Sequence, residues 1–303
     1  MKTLVLLDSH AILHRAYHAL PPFKSKKTGE PTGGLYGFST MLLKVIKDLK
    51  PDYIAAALDL PEPTFRDVLY KEYKGKRPEA EDDLVSQLKR LPQLIGAFGI
   101  KAFSAPGFEA DDVLGTLAEN LKKIKDLKII IVSGDADVLQ LVDGEKVLVY
   151  TMRRGMEDTV IYDEDKVKER FGFPPDALPD FKGLKGDPSD NIIGVKGIGE
   201  KTATDIIKNY GTLENLYKKL EQNSPPGAAG ILKDRVVQIL LEHKGDAFFS
   251  KTLATIRRDA PVEFGLEKVK FEINLGKLKE MFEELGFEAL IKRLEGFAVQ
   301  SIF

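Results

Sequence analysis

The chain contains no cysteine and only four histidines among its 303 residues. The absence of cysteine excludes disulfide bonds, zinc–thiolate sites and thiol nucleophiles. Three histidines share one stretch at helical spacing, but no carboxylate pattern there completes a zinc site. We therefore expect any metal site to use other ligands. The four histidines are His10, His14, His18 and His243.

The chain also lacks an apolar run long enough to span a membrane. Its opening residues resemble a signal peptide only briefly, because Asp8 and His10 interrupt the apolar stretch. The net charge of -2 does not indicate a nucleic-acid binder. A hydrophobic content of 43% can form a substantial core, in one large domain or two smaller ones. We expect a soluble, cytoplasmic protein that does not bind membranes.

Three apolar runs in the first half of the chain each end on an aspartate: Asp8, Asp59 and Asp135. Continuous apolar runs bounded by polar residues are typical of strands buried on both faces of a parallel sheet. In such sheets, ligand sites lie at the carboxyl ends of the strands. We expect the three carboxylates to meet at one edge, where their mutual repulsion favours a divalent cation.

Six further acids extend this pattern. One follows the third run at a spacing of two, three precede an amphipathic helix, and two lie in a Gly-Asp-Pro-Ser-Asp-Asn loop. For any single one of them, helix capping or turn formation is the alternative explanation. Taken together, all nine acids favour a metal site. In chain order the six are Glu109, Asp111, Asp112, Asp137, Asp187 and Asp190.

Strand and helix patterns alternate through the first half of the chain. This alternation predicts an α/β fold with a mostly parallel, twisted sheet covered by helices. Beyond about residue 164, helices and glycine-containing turns dominate, which predicts a second, α-helical lobe with a loop at 223–230. We therefore expect an α/β core over residues 1–163 and a helical lobe over residues 164–303.

A glycine-rich motif, Gly-Val-Lys-Gly-Ile-Gly-Glu-Lys-Thr-Ala, occupies residues 194–203. It is not a Walker loop, because Glu200 separates the last glycine from the lysine and no apolar strand precedes it. It fits a helix-hairpin-helix at about residues 184–210, whose backbone N–H groups face a phosphate. A glycine turn between two packed helices is the alternative. The candidate DNA contacts are Lys196, Gly197, Gly199, Lys201 and Thr202.

The segment after Asp59 is dense in cations and aromatic residues. Beside a carboxylate cluster, such cations would attract phosphates, and the rings would stack on unpaired bases. A solvated helix face is the alternative explanation. The residues concerned include Arg66, Tyr70, Tyr73, Lys74 and Arg77.

Acid-only ligands beside phosphate-directed cations indicate two-metal hydrolysis of phosphodiesters. The same motifs, in the same order, resemble those of the 5′-nuclease (flap endonuclease) family, most closely the 5′→3′ exonuclease domain at the N-terminus of bacterial DNA polymerase I. The resemblance covers essentially the whole chain. It runs from Leu-Asp8 through Phe-Arg66, Tyr73–Arg77, Glu109–Asp112, Asp135–Asp137 and Asp187–Asn191 to the 194–203 turn.

The resemblance implies a PIN-like nuclease core with a helical arch at about residues 61–98 and a site for two Mg²⁺ or Mn²⁺ ions. Two cations of the arch, Lys74 and Arg77, would steer the scissile phosphate, with Arg66 and Tyr73 beside them. The hairpin would grip the downstream duplex and could carry K⁺. The implied ligands of the first metal are Asp8, Asp59, Glu109 and Asp111; those of the second are Asp111, Asp135, Asp137 and Asp187. Asp112 and Asp190 would lie outside the direct ligands or act through water.

The implied activity is hydrolysis of DNA at 5′ flaps, nicks and junctions in replication and repair, at the nucleoid. The partner would be flapped DNA with a downstream duplex, together with a linked or separate DNA polymerase. The last four residues, 300–303, resemble tails that bind sliding clamps. Two positions depart from the family pattern: Ser9-His10 stands where glycine is more usual after Asp8, and Ala136 stands where lysine is common.

Two other functions fit part of the pattern. A catalytically silent module that binds branched DNA would share the arch and the hairpin, but it has no reason to retain nine self-repelling acids. A small ribonuclease could share the acids at the sheet edge, but the arch and the hairpin lobe disfavour it.

Overall fold

The computed structural model of the protein describes residues 1–154, 158–222 and 232–300. Its centre is one sheet of six strands, in the order β3-β2-β1-β4-β5-β6. All neighbouring strands are parallel except the last pair, which is antiparallel. The strands are β1 (Lys2–Asp8), β2 (Tyr53–Ala57), β3 (Lys101–Phe103), β4 (Leu127–Val132), β5 (Val147–Arg154) and β6 (Asp158–Tyr162).

The mostly parallel sheet predicted from the apolar runs is confirmed. The edge strand β6 was not predicted, because Asp158–Tyr162 is only half-buried along most of its length and so lacks a long apolar run. The loop predicted at 223–230 and the last three residues of the clamp-like tail lie outside the described residues.

Helices cover both faces of the sheet and continue beyond it. No helix in the described part of the chain is both long and apolar enough to cross a membrane. The helices are α1 (Ser9–Ala19), α2 (Gly33–Leu49), α3 (Phe65–Leu69), α4 (Asp82–Ala97), α5 (Ala110–Leu121), α6 (Glu164–Phe171), α7 (Leu178–Lys185), α8 (Glu200–Tyr210), α9 (Leu213–Gln222), α10 (Asp234–Glu242), α11 (Lys244–Ala254), α12 (Leu275–Leu285) and α13 (Glu288–Gln300).

The two faces of the sheet pack into separate apolar cores, as alternation along a strand requires. From β1, Leu4 and Leu6 enter the core that continues into α5 and the helices α6 to α11. Val5 and Leu7 point to the opposite core, which is formed with α1, α2 and α4. Burial on both faces explains why the strands read as continuous apolar runs in the sequence.

The C-terminal end of the segment predicted as a helical lobe packs on the sheet. Helices α12 and α13 return to the sheet and pack in the same core as α2 and α4. Phe282 of α12 is fully buried, and its ring centre lies 5.9 Å from that of Phe98, which follows α4. An amphipathic pattern shows that a helix is buried, but it does not show against which layer the helix packs. The sequence therefore did not reveal that α12 and α13 cover the sheet.

The segment predicted as an arch consists of α3, α4 and the turns between them. The turns carry Lys74, whose φ of 54° is left-handed. They are fixed to the loop before the hairpin, since Lys74 N–H donates to Asp190 O at 3.0 Å and Asn191 Nδ2 donates to Glu72 O at 2.7 Å. The cations of the arch are thus held at a defined position relative to the carboxyl edge of the sheet.

Candidate active site

The carboxyl edge of the sheet brings five of the nine predicted acids around one cavity of about 510 Å³. One is the last residue of β1, two follow β2 and β4, and two stand at the start of α5. Because β1 lies between β2 and β4 in parallel, the three strand ends meet. The five acids are Asp8, Asp59, Glu109, Asp111 and Asp135.

Ser133 fixes two of these acids relative to each other. Its hydroxyl donates to Asp8 Oδ2 at 2.5 Å and accepts from the Asp135 N–H at 2.9 Å. The serine is fully buried, so water does not compete for this link. Asp59 is held separately, because its Oδ1 accepts from the Ala110 N–H at 2.8 Å. The role of Ser133 was not predicted from the sequence, in which its position two residues before Asp135 is the sign of it.

Two of the cavity acids, Asp8 and Asp111, have raised pKa values. Burial raises the pKa of Asp8 to about 7, against the hydrogen bond from Ser133, and the charges of Asp59 and Asp135 add to the shift. Burial and the facing carboxylates, Asp8 first, raise the pKa of Asp111 well above its ordinary value. A bound cation would relieve this repulsion. Because the donors are carboxylate oxygens, the cluster fits a hard divalent ion such as Mg²⁺ or Mn²⁺.

Asp137 and Asp187 face a cation instead. The Lys182 ammonium donates to Asp187 Oδ2 at 2.5 Å and also to Asp137 Oδ1. Burial and the neighbouring Asp135 raise the pKa of Asp137 to about 6 despite the lysine. Burial also opposes ionisation of Asp187, but Lys182 and Ser189 outweigh it and lower its pKa to about 2. Sequence analysis missed Lys182, because a lysine in the last turn of a helix is ordinary.

Asp112 lies outside the cavity and pairs with a cation of the chain. The residue is fully buried, and its two oxygens accept from the Arg66 guanidinium at 2.7 and 2.9 Å. The same oxygens also accept from the backbone N–H groups of Glu109 at 3.0 Å and Arg257 at 2.8 Å. Its carboxylate is therefore committed to protein donors. Asp112 follows Asp111 directly, and one step along a helix turns its side chain away from the cavity.

Arg66 and Tyr73, which were predicted to contact DNA, are both buried in the structure. Arg66 is only 2% exposed, and besides Asp112 it donates to the carbonyl oxygens of Leu253 and Thr255, both at 2.8 Å. Tyr73 is 6% exposed, so its ring presents no open face for a base. The sequence of a segment rich in cations and aromatic residues does not show which of its side chains are buried. That depends on residues far away along the chain, such as Leu253 and Thr255 for Arg66.

Lys74 and Arg77 do lie over the cavity, and both line it. Lys74 Nζ donates to Glu109 Oε1 at 2.7 Å, and Arg77 Nη2 donates to Asp190 Oδ1 at 2.5 Å. The second oxygen of Asp190 accepts from the Tyr73 hydroxyl at 3.1 Å. Asp190 thus anchors the arch through both of its oxygens. The arch cations thus each contact a carboxylate and also line the cavity.

The two predicted metal-ligand sets are not assembled as the side chains stand. In the described residues no group of three histidine, aspartate or glutamate side chains is arranged to hold one metal ion. The physical reason is visible in the ion pairs, since Glu109, Asp137, Asp187 and Asp190 are each turned toward a cation of the chain itself. Metal binding would require some of these pairs to open.

One wall of the cavity is formed by α1, which sequence analysis had set aside. His10 Nδ1 accepts from the Asp59 N–H at 3.1 Å, so His10 helps to place that acid. Burial lowers the pKa of His10, and burial followed by the charges of the other two histidines lowers that of His14. In the sequence, the helical spacing of the three histidines was the sign that they share one face of α1. The lining residues of this wall are His10, Ala11, His14, Arg15 and His18. Ala136, which stands where lysine is common in the family, also lines the cavity.

The glycine motif joins α7 to α8 as a compact hairpin. Gly194 has φ +69°, and a Cβ there would lie 2.2 Å from Gly186 N, so only glycine fits. Gly199 precedes α8, and a Cβ on it would meet nothing within 4 Å, which leaves the start of α8 open. Lys196 and Lys201 are exposed on either side, Gly197 is exposed and Thr202 is half-buried. This geometry suits a backbone-phosphate contact.

Family models match the chain over almost its whole length. The model described as 5'-3' exonuclease, N-terminal resolvase-like domain, matches residues 3–172. The model described as 5'-3' exonuclease, C-terminal SAM fold, matches residues 173–275. The chain belongs to the 5′–3′ exonuclease family. The resemblance drawn from its sequence motifs is thereby confirmed.

Relatives of this 5′–3′ exonuclease family member include both long and short proteins. The 5'-3' exonuclease of Aquifex aeolicus is 37% identical over 298 residues, which cover 97% of this chain and 96% of the relative. The DNA polymerase I of Bacillus caldotenax is 36% identical over 295 residues, which cover 97% of this chain and 32% of the relative. The chain therefore spans about a third of the length of the curated DNA polymerase I relatives that it matches.

Solved structures show that the fold is shared. The T5 5'-exonuclease with bound divalent zinc ions has a TM-score of 0.64 at 22% identity, over 84% of this chain and 89% of that one. The catalytic core of Rad2 in complex with a DNA substrate has a TM-score of 0.59 at 16% identity, over 94% and 88%. At these identities the likeness concerns the fold, and it confirms an α/β core followed by a helical region.

Proposed function

We propose that the protein is a metal-dependent, structure-specific 5′ nuclease that hydrolyses phosphodiesters of DNA at 5′ flaps, nicks and junctions. The observation that carries this proposal is the convergence of Asp8, Asp59, Asp111 and Asp135 on one cavity below Lys74 and Arg77. Carboxylates that face one another contribute little to stability and favour a cation, and the pKa values of Asp8 and Asp111 are raised there. DNA-bound structures of the same fold support a DNA substrate.

In this proposal each part of the site has a separate task. Mg²⁺ or Mn²⁺, as one or two ions, would lower the pKa of an attacking water and stabilise charge on the phosphate. The cavity aspartates hold the metal, and Ser133 keeps Asp8 and Asp135 in register. Lys74 and Arg77 bind the phosphate and hold it against the carboxylate edge.

The hairpin would position the duplex. The backbone at Gly197 and Gly199 and the side chains of Lys196, Lys201 and Thr202 are placed to contact phosphates, with K⁺ as a candidate ion at the turn. Such contacts fix register without reading sequence. We also propose that the protein works at the cytoplasmic nucleoid, beside or linked to a DNA polymerase, because relatives of this family include DNA polymerase I. A sliding-clamp contact of residues 300–303 remains a proposal.

A silent DNA-binding module is the competing function, and one variant separates the two. We expect Asp111→Asn to reduce single-turnover cleavage of a 5′-labelled flap in Mg²⁺ by about a thousandfold or more, the scale of losing metal-stabilised charge. Flap binding without metal should be retained or tightened, because one phosphate-repelling charge is gone.

The matched control is Asp165→Asn, which removes an exposed acid from the first turn of α6. It should cleave like the wild type. Labelled flap, nicked and single-stranded substrates should be compared side by side. Cleavage by the Asp111 variant at the wild-type rate, or no cleavage of any substrate by the wild type in Mg²⁺ or Mn²⁺, would overturn the proposal.

A further inference from the structure

Lys182 projects from the last turn of α7 into the gap between two acids. Its ammonium pairs with Asp137 on one side and with Asp187 on the other, at 2.5 Å from Asp187 Oδ2. The lysine side chain is only 14% exposed. The charge therefore lies at the point where the two carboxylates converge, largely shielded from water.

The neighbouring acids are in a different position. Asp8, Asp111 and Asp135 line one cavity together, where their like charges repel one another. A divalent ion that enters among them relieves repulsion. An ion that enters between Asp137 and Asp187 must instead break two ion pairs, because the lysine already pairs with one oxygen of each carboxylate.

We propose that the Lys182 ammonium occupies the position that a second divalent ion needs, and that it competes with that ion for Asp137 and Asp187. The inference rests on the proposed function, since it takes the metal-dependent nuclease as given. Its consequence is an order of binding. The first ion binds among Asp8, Asp111 and Asp135. The second binds only when the Lys182 side chain moves away from Asp137 and Asp187.

The opposite role for Lys182 is equally concrete. A lysine that merely orients the two carboxylates would help the second ion, so its removal would weaken metal binding. Competition predicts the reverse sign. Charge-assisted hydrogen bonds are about twice as strong as neutral ones, so we expect the lysine to weaken the second ion by about tenfold or more.

The test is calorimetric titration of the full chain with Mn²⁺ alone, without DNA. The wild type should show a tighter and a weaker class of sites. In Lys182→Met the weaker class should tighten by about tenfold or more, whereas Lys182→Arg, which keeps the charge, should stay close to the wild type. The matched control is Lys185→Met, which lies in the same last turn of α7 and pairs with Glu200 at 3.0 Å instead. It should leave both classes unchanged.

An unchanged or weaker second class in Lys182→Met would overturn the competition. If that variant does not fold without metal, Lys182→Gln takes its place, since its amide can donate to the carboxylates without a charge. Asp111→Asn should remove the tighter class. A wild type that binds no Mn²⁺ at all would refute the proposed function itself, whereas two classes of sites that are indifferent to residue 182 would refute only the role of Lys182.

Discussion

Asp111 and Asp112 are neighbours in the same turn of α5, yet their surroundings are opposite. Asp111 faces four other carboxylates in the cavity, and its pKa is raised. Asp112 is fully buried with the Arg66 guanidinium and accepts four hydrogen bonds from protein groups. The same chemical group thus destabilises the metal-free protein at one position and stabilises it at the next. What an acid does in this site depends on whether its partner is another acid or a cation.

The largest expected effect is on stability, and it should have opposite signs at the two positions. Asp112→Asn leaves the buried Arg66 with only its longer contact to Glu109, at 3.3 Å, as a counter-charge, which we expect to cost about 3 kcal/mol of the free energy of unfolding. Asp111→Asn removes repulsion and should raise the free energy of unfolding without metal. Urea denaturation in EDTA measures both. The contrast would fail if both variants shifted stability in the same direction.

A smaller effect, on the cleavage rate, is expected for Lys74 of the arch. Lys74 pairs with Glu109 and also lines the cavity. We expect Lys74→Ala to lower the single-turnover cleavage rate by about tenfold or more, the scale of losing about 1.4 kcal/mol of transition-state stabilisation. Lys76→Ala, an exposed position two residues on, is the control. The dissociation constant of a flap, measured in Ca²⁺ where that ion supports binding without cleavage, should move much less.

A change confined to affinity, with an unaltered cleavage rate of bound flap, would show that Lys74 only attracts DNA. Blocking the 5′ end of the flap with a bulky adduct tests the arch independently. Cleavage should slow if the strand passes beneath Lys74 and Arg77.

The smallest effect is a pH dependence of the metal's contribution to stability. The pKa values of Asp8 and Asp137 rise from 3.8 to about 7 and about 6 on folding. The folded state therefore binds more protons than the unfolded state, and metal-free stability falls as pH rises through this window. Bound metal should offset that loss. We expect the Mg²⁺-induced rise in melting temperature to grow by about a few degrees between pH 5 and 8.

Asp8→Asn is the control for this dependence, since it removes one of the titrating groups and should flatten the curve. A rise in melting temperature that is equal at both pH values would mean that metal binds away from these acids. Asp187 contributes with the opposite sign. Its pKa of about 2 gives stability that is present above its ordinary pKa of 3.8 and is lost only as pH falls toward 2.

The sequence predicted those features that depend on short stretches of chain. Apolar runs revealed the central strands, and the acid at the end of each run, such as Asp8, reached the cavity. A helical pattern over 110–123 also placed acids at the start of α5. It could not show that Asp111 would face the cavity while Asp112 faced Arg66, because that depends on how the helix is rotated against distant segments.

Contacts across long chain separations account for the other errors. Arg66 and Asp112 are 46 positions apart, so a cation-rich run gave no sign that Arg66 would be buried. Helices α12 and α13 were assigned to the lobe because amphipathic helices look alike whichever layer they cover. Lys182 could not be singled out, since its significance arises only from Asp137, which lies 45 positions away.

The loop that carries Asp187, Asp190 and Asn191 has a mechanical consequence. It runs directly into the hairpin turn, and it also holds the arch through the Lys74 N–H and the Glu72 carbonyl. The part that would grip the duplex and the part that would hold the scissile phosphate are therefore clamped to the same short stretch of chain. In the proposed nuclease, this coupling would fix the distance between the bound duplex and the cleaved phosphodiester. The fold, and not the length of the flap, would set that distance.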